Sequence, residues 1–385
     1  MDVITDSKTL ADFSRELAGR PFVAVDTEFM REKTYWPILC LVQAAAEGIE
    51  AVIDPMAQGI DLAPFLDVMG DDRIVKVFHA ARQDVEIFFQ LMGRVPTPLF
   101  DSQIAAMACG FGDQIGYEPL MRGLLKASID KGPRFTDWSR RPLSKAQLAY
   151  ALSDVTHLRD AYLILKEKLE EDGRGKWVEE EMSALADPRL YQIDPENAWE
   201  RMKLRGVRTS ELGPIIKLAE WREREAQSRN TPRGRVLKDE AIFELARLKP
   251  KSPDELARAR SIPTGFERSK AGGSILDAIA VGSALERPDL PAIDRADRRA
   301  SPPADVVDLL KVLLKRQCEL FHVAPKLIAS TSDLEAIAVD DEADVAALHG
   351  WRREVYGDLA LKLKRGEIAL KLSDGAVEIV EVSAQ

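Results

Sequence analysis

The stretch FVAVDTE at 22–28 sends four apolar residues toward two acids, Asp26 and Glu28, spaced two apart. On a β-strand, residues i and i+2 share a face, so both carboxylates project side by side at the end of a buried strand. Two adjacent carboxylates repel unless a proton or a cation lies between them. Two later stretches offer company. VFHAARQDVEIFFQLM places His79 at a strand end and Asp84 one turn into the next helix. A lone acid at that point is ordinarily a partner of the helix dipole. AYALSDVTHL carries Tyr150 and Asp154 at i and i+4, which share one helical face. Each pair is commonplace by itself; four acids and a phenol arriving in this order are not.

These side chains need elements to position them. FVAVD (22–26), ILCLVQA (38–44), EAVID (50–54) and IVKVF (74–78) are rich in Val and Ile and read as strands. The first three are too closely spaced for crossover helices and predict antiparallel hairpins, whereas the later strand–helix alternation predicts parallel pairing. Helical patterns lie at 7–18, 61–69, 80–91, 102–110 and 117–126. A mixed sheet with helices packed on it follows. From Ser144, where Ser144 and Gln147 form a capping-box signature, the chain turns helical. Helices are expected at 210–229, 238–248, 253–260, 270–284, 304–322, 324–329, 331–338 and 343–363. The Pro-, Asp- and Arg-rich 287–305 reads as a linker. The expected domains are 1–200, 201–290 and 291–385.

Length and composition agree with this division. A chain of 385 residues with 45% hydrophobic content supports two or three domains with real cores. It has no apolar run that would span a bilayer and no signal-peptide pattern at its start. Cys40, Cys109 and Cys318 are few and scattered, as suits buried thiols in a reducing cytoplasm and not a disulfide framework or zinc site. The net charge of −10 argues against a general nucleic-acid coat protein. Charge is unevenly distributed, however, and 204–235 is strongly basic. A second cluster in KGPRFTDWSRRP sets Lys131, Arg134, Arg140 and Arg141 around Phe135 and Trp138. Basic residues interleaved with aromatics suit a phosphate backbone and stacked bases. The same composition also suits a solvated loop anchored by its tryptophan.

The order Asp-x-Glu, His-x-x-x-x-Asp, Tyr-x-x-x-Asp resembles the three motifs of the DEDD superfamily of 3′→5′ exonucleases, in its tyrosine subclass. The flanks VDTEFMREKTYWPILCLVQ, VFHAARQDVEIF, PLFDSQIAA and TDWSRRPLSKAQLAYALSDV sharpen this to a resemblance to the ribonuclease D family. TPRGRVLKDEAIFELARLKPKSPDELARARSIP looks like an HRDC domain, a helical nucleic-acid-binding module, and 300–365 resembles a second one more loosely.

That resemblance implies a ribonuclease-H-like α/β exonuclease domain followed by all-helical HRDC-type domains. It implies two divalent ions, Mg²⁺ or Mn²⁺, held by Asp26, Glu28, Asp84 and Asp154, all hard oxygen donors. Asp26 would bridge both ions, and Asp84 would serve the second. Tyr150 would orient the attacking water, since a phenol of pKa about 10 is a poor base at neutral pH. His79 reads as structural and Asp101 as a supporting group. The implied activity is metal-dependent 3′→5′ exoribonuclease action that releases nucleoside 5′-monophosphates. The implied substrates are tRNA precursors and other stable RNAs, processed by a cytoplasmic monomer. The motifs do not themselves separate RNA from DNA. A DNA exonuclease on the same fold, an inactive nucleic-acid-binding scaffold and a helical adaptor for protein partners are the competing readings.

Overall fold

The structure is a computed structural model that describes residues 3–129, 132, 136–204, 206–286, 288, 290–291 and 302–382. Its N-terminal part is built on a six-stranded mixed sheet. The strands are β1 (Val3–Ile4), β2 (Phe22–Met30), β3 (Ile38–Ala46), β4 (Ile49–Ile53), β5 (Val75–Phe78) and β6 (Leu99–Asp101), in the spatial order β1-β4-β3-β2-β5-β6. β2, β3 and β4 pair antiparallel as consecutive hairpins, whereas β1–β4, β2–β5 and β5–β6 are parallel. β1 and β6 carry no sequence signal because two or three residues cannot display a period.

Alternation along β2 explains how the sheet serves two layers. Val23 and Val25 face one side, where they pack with Leu10 and Leu17 of α1 (Ser7–Leu17), Phe65 of α2 (Ala63–Met69) and Phe88 of α3 (Arg82–Met92). Phe22 and Ala24 face the other. There they meet Val155, Leu158 and Tyr162 of the 27-residue helix α6 (Lys145–Glu171), which follows α4 (Ser102–Ala108) and α5 (Tyr117–Leu125). Helix α6 starts at the expected capping box: Gln147 N–H donates to Ser144 Oγ, and Gln147 Oε1 accepts from Ser144 N–H. Asp26 and Glu28 continue the α6-facing row of β2. Thr27 continues the opposite row.

After α7 (Gly175–Leu185) and a 3₁₀ segment at Pro195–Arg201, a helical unit forms from α8 (Thr209–Ser228), α9 (Arg233–Val236), α10 (Asp239–Leu248), α11 (Pro253–Leu256) and α12 (Lys270–Ala284). It has its own core, from Ala198 through Leu218, Ile242 and Leu256 to Ile279. The final region has α13 (Ala304–Phe321), α14 (Pro325–Ile328), α15 (Thr331–Val339), α16 (Gly350–Arg352) and α17 (Asp358–Lys364). The single helix expected over 343–363 is broken into a 3₁₀ turn, α16, a π-helical turn at Arg353–Gly357 and α17. Gly350 sits at φ +50°, outside helical backbone, and Gly357 lies so close to the Ala347 carbonyl that a Cβ would collide with it. Beyond α17 the chain adds an antiparallel hairpin, β7 (Ile368–Ser373) and β8 (Ala376–Glu381), that the sequence reading did not include.

The last region does not build a core of its own. Leu310, Leu313, Leu327, Ile337 and Tyr356 belong to one hydrophobic cluster with Ala105, Leu120, Leu165, Val178 and Met182 of α4–α7. Trp177 and Trp351 stack at 4.3 Å across this junction, and Arg174 donates to the carbonyls of Ala108 and Phe321. All three cysteines are buried and free. Among the described residues, no helix is long and apolar enough to cross a membrane.

Candidate active site

Asp26, Glu28 and Asp154 each offer a carboxylate oxygen within 4.8 Å of the others. β2 delivers the first two at the end of its apolar row, and α6, lying across that row, delivers the third from above. Tyr150, one turn earlier on α6, hydrogen-bonds the Asp154 side chain. Its ring rests against the Trp138 ring, with centroids 6.2 Å apart. The Tyr117 hydroxyl donates to the Asp154 carbonyl oxygen and pins α6 at that level.

The charges are compressed. Burial, and next the neighbouring Asp154, push the Asp26 carboxyl up to about 8. Burial and then the Asp154, Glu28 and Asp26 carboxylates raise the Tyr150 phenol above its ordinary range. Like charges gathered in a poorly solvated place retain protons unless a cation neutralises them. The donors are all hard oxygens, which suits Mg²⁺ or Mn²⁺ and offers a thiophilic metal nothing. The residues present therefore fit a divalent cation.

Asp84 is not one of the three grouped acids. It is buried on α3, behind the strand, and its Oδ1 accepts a 2.5 Å hydrogen bond from Thr27 Oγ1. Burial and the nearby Asp26 charge raise its pKa well above the ordinary carboxylate value. The loop leading to α3 is held by Asp101, whose carboxylate accepts from Ala80 N–H at 3.0 Å, Ala81 N–H at 2.8 Å and Gln103 N–H at 2.8 Å. Ala80 sits at φ +57°, a left-handed conformation that these bonds stabilise. His79 stays in the framework: its Nδ1 meets Ser102 Oγ at 2.9 Å, its ring lies edge-on to Tyr117, and burial lowers its pKa.

The basic-aromatic cluster divides. Lys131 and Arg134 lie outside the described residues. Trp138, which the sequence left open as a base-stacking platform or as the anchor of a solvated loop, is only 3% exposed and packs with Cys40, Leu41 and Ala151. A ring so enclosed has no free face for a base, and it supports Tyr150 instead. Arg141 forms a two-point ion pair with Asp54, at 2.6 and 2.7 Å, and donates to the Cys40 carbonyl. Arg140 remains at the surface beside Asp137.

Several supports carry no pattern in sequence. Arg31, just past β2, forms a two-point ion pair with Glu86 of α3 at 2.7 and 2.8 Å. The β2–β3 loop also grips the helical unit. Asn230 Oδ1 accepts from Tyr35 N–H at 3.1 Å and Trp36 N–H at 3.0 Å, and the Tyr35 hydroxyl donates to buried Glu223. Such contacts join residues nearly 200 positions apart. Only the placing of Thr27 between the two acids could have drawn notice.

Comparison with known proteins agrees with this architecture. A 3′-5′ exonuclease family model matches residues 1–170, and an HRDC domain model matches residues 215–279. Ribonuclease D of Nitrobacter hamburgensis is 50% identical over 383 residues, covering 100% of each chain. Ribonuclease D of Granulibacter bethesdensis is 48% identical over 379 residues, covering 98% of this chain and 96% of the relative. The crystal structure of Escherichia coli RNase D, described as an exoribonuclease involved in structured RNA processing, aligns with a TM-score of 0.82 at 28% identity. The alignment covers 95% of this chain and 99% of that one. Half-identity from end to end, on a sheet and helix that bring together Asp26, Glu28, Asp154 and Tyr150, places this chain in the ribonuclease D family.

Proposed function

We propose that the protein shortens RNA from its 3′ end, with Asp26, Glu28, Asp154 and Asp84 holding two divalent cations and Tyr150 orienting the attacking water. Family membership makes the chain a 3′→5′ exoribonuclease that depends on a divalent metal. The observation that carries the residue roles is the set of three carboxylates within 4.8 Å with a tyrosine hydroxyl bonded to one of them. Bound divalent cations would supply positive charge to the attacking and leaving oxygens of an in-line displacement. Water attacks the terminal phosphorus, the bond to the 3′ oxygen of the preceding nucleotide breaks, and that oxygen takes up a proton. The products are a nucleoside 5′-monophosphate and an RNA one residue shorter.

The chain's own residues explain positioning. Tyr150 keeps its proton at neutral pH, so its hydroxyl acts as a hydrogen-bonding guide and not as a base. Trp138 fixes the plane of that ring. Thr27 and Asp101 set Asp84 and the turn into α3. Exposed Arg140, with Lys131 and Arg134 of the same stretch, is proposed to receive the RNA backbone. The proposed substrates are precursors of tRNA and other stable RNAs, handled by a cytoplasmic monomer. The proposed division is an exonuclease domain at 1–200, an HRDC domain at 201–290 and a second HRDC-like region at 291–385. The separate core around Ile242 supports the middle unit.

The test is digestion of a single-stranded RNA labelled at its 3′-terminal nucleotide, beside the matching DNA, in Mg²⁺, Mn²⁺ or EDTA. Labelled nucleoside 5′-monophosphate from RNA, abolished by EDTA and by Asp26→Asn, is expected. Cleavage in EDTA, or full activity of Asp26→Asn, overturns the mechanism.

A further inference from the structure

Gln43 is completely buried on β3, and neither its Nε2 nor its Oε1 has a hydrogen-bond partner among the described residues. A buried primary amide with no partner on either side is costly, and native structures rarely retain one without a use. Its position is informative. Gln43 is the register partner of Asp26, so the two side chains leave the same face of the sheet with Cβ atoms about 5 Å apart. Its neighbours along that row of β3, Leu41 and Ala45, are apolar, as is Val52 opposite it on β4. Above the row lies α6, which meets the layer of Ala24 and Ala45 through Val155 and that of Leu41 through Ala151. The amide is thus confined between the layers that carry Asp26 and Asp154.

We infer that Gln43 is a positioning residue for the metal-binding carboxylates, its Nε2 donating to an oxygen of Asp26 once that acid is engaged by a divalent cation. The inference rests on the metal-site reading above. The chemistry is selective. An amide donor favours an ionised, correctly turned carboxylate without adding charge, whereas a lysine there would compete with the cation. Groups behind metal ligands fix ligand orientation, and their loss weakens metal binding about 10–100-fold.

The test uses the full-length protein and Gln43→Met, which keeps the length of the side chain and removes both polar atoms. Mn²⁺ binding is followed by electron paramagnetic resonance, and thermal unfolding is followed in EDTA. Expected are a Mn²⁺ dissociation constant raised about 10–100-fold and a metal-free midpoint equal to or above that of the parent. Leu158→Ala, a cavity one helical turn along α6, serves as control, with a lower midpoint and unchanged Mn²⁺ affinity. Independently of variant folding, selective ¹⁵N-glutamine labelling of the parent should show one side-chain amide pair moving on Mg²⁺ addition, assigned by its absence in Gln43→Asn. Mn²⁺ affinity within twofold of the parent in Gln43→Met, or an unmoved Gln43 amide at saturating Mg²⁺, overturns the inference. A parent that binds no Mn²⁺ overturns the metal-site reading itself, and this inference with it.

Discussion

Thr27 Oγ1 donates to Asp84 Oδ1 at 2.5 Å, joining the strand that carries Asp26 and Glu28 to the helix that carries Asp84, the fourth acid proposed for the site. The link passes through the residue between Asp26 and Glu28, so the spacing of the acidic pair also creates the tether on the other face of the sheet. Thr27→Val keeps the shape and leaves Asp84 buried without that donor. A loss of about 1–3 kcal/mol in stability is expected, measured by urea unfolding, with a lower turnover rate on RNA. Thr27→Ser should recover most of both. A Val variant as stable and active as the parent would remove Thr27 from the site's support.

Tyr150→Phe removes the hydroxyl that meets Asp154 while leaving the ring against Trp138. Single-turnover cleavage should slow about 100-fold, the scale of a misplaced reactant, with RNA affinity little changed. If affinity falls as much as the rate, the phenol acts in substrate binding and not in orienting water.

The raised carboxyl of Asp26 fixes a pH dependence. Its folded pKa of about 8 lies above the ordinary 3.8, so the metal-free folded state holds the extra proton between those values. Stability from this group is complete below about 4, declines as pH rises, and is lost above about 8. Asp84 is shifted in the same direction and adds to the trend. In EDTA the unfolding midpoint should fall between pH 5 and 8.5, and the increase produced by Mg²⁺ should grow over the same range. A flat metal-free midpoint would contradict the compressed-charge account.

Asn230 joins the helical unit to the β2–β3 loop through two backbone N–H groups, from a backbone at φ +45°. Asn230→Gly tolerates that backbone and deletes both bonds. About 1–2 kcal/mol of loosening is expected, visible as faster hydrogen exchange of the Tyr35 and Trp36 amides. Unaltered exchange there would mean that the contacts of the Tyr35 side chain with Glu223, Gln227 and Arg233 hold the junction without Asn230.

Removing residues 302–385 would uncover Leu165, Leu169, Val178 and Met182. At up to about 1.5–3 kcal/mol per side chain, this is comparable with the whole stability of an ordinary domain, about 5–15 kcal/mol. The truncated protein should aggregate or unfold at a much lower temperature. A soluble, fully active 1–301 fragment would show that the exonuclease part stands alone.

The site was legible where local chemistry repeats along the chain. Val- and Ile-rich runs located β2 to β5, and the Ser144–Gln147 signature located the start of α6. Composition cannot say which way a side chain faces, and this is why the sequence left Trp138 open between a base-stacking platform and a loop anchor, where the structure makes it a buried support. Nor does spacing reveal that Thr27 would draw Asp84 behind the strand, or that Asn230 would cap a loop 194 residues earlier. The broken course of 343–363 depends on Gly350 meeting Glu180 of α7 and on Gly357 folding back onto the Ala347 carbonyl, neither of which a helical period displays.

The cluster that joins α4–α7 to α13–α17 also dictates an order of events during synthesis. Residues 105–182 leave the ribosome long before Leu310, Ile337 and Tyr356, which cover them. Until the final quarter of the chain has emerged, the Leu165–Leu169 end of α6 and the Val178–Met182 face of α7 lack part of their cover. Tyr150 and Asp154 ride on the other half of α6, which docks on the sheet through Ala151, Val155 and Leu158, so the acidic centre rests on contacts available early in synthesis and the last region closes only the far end of the same helix.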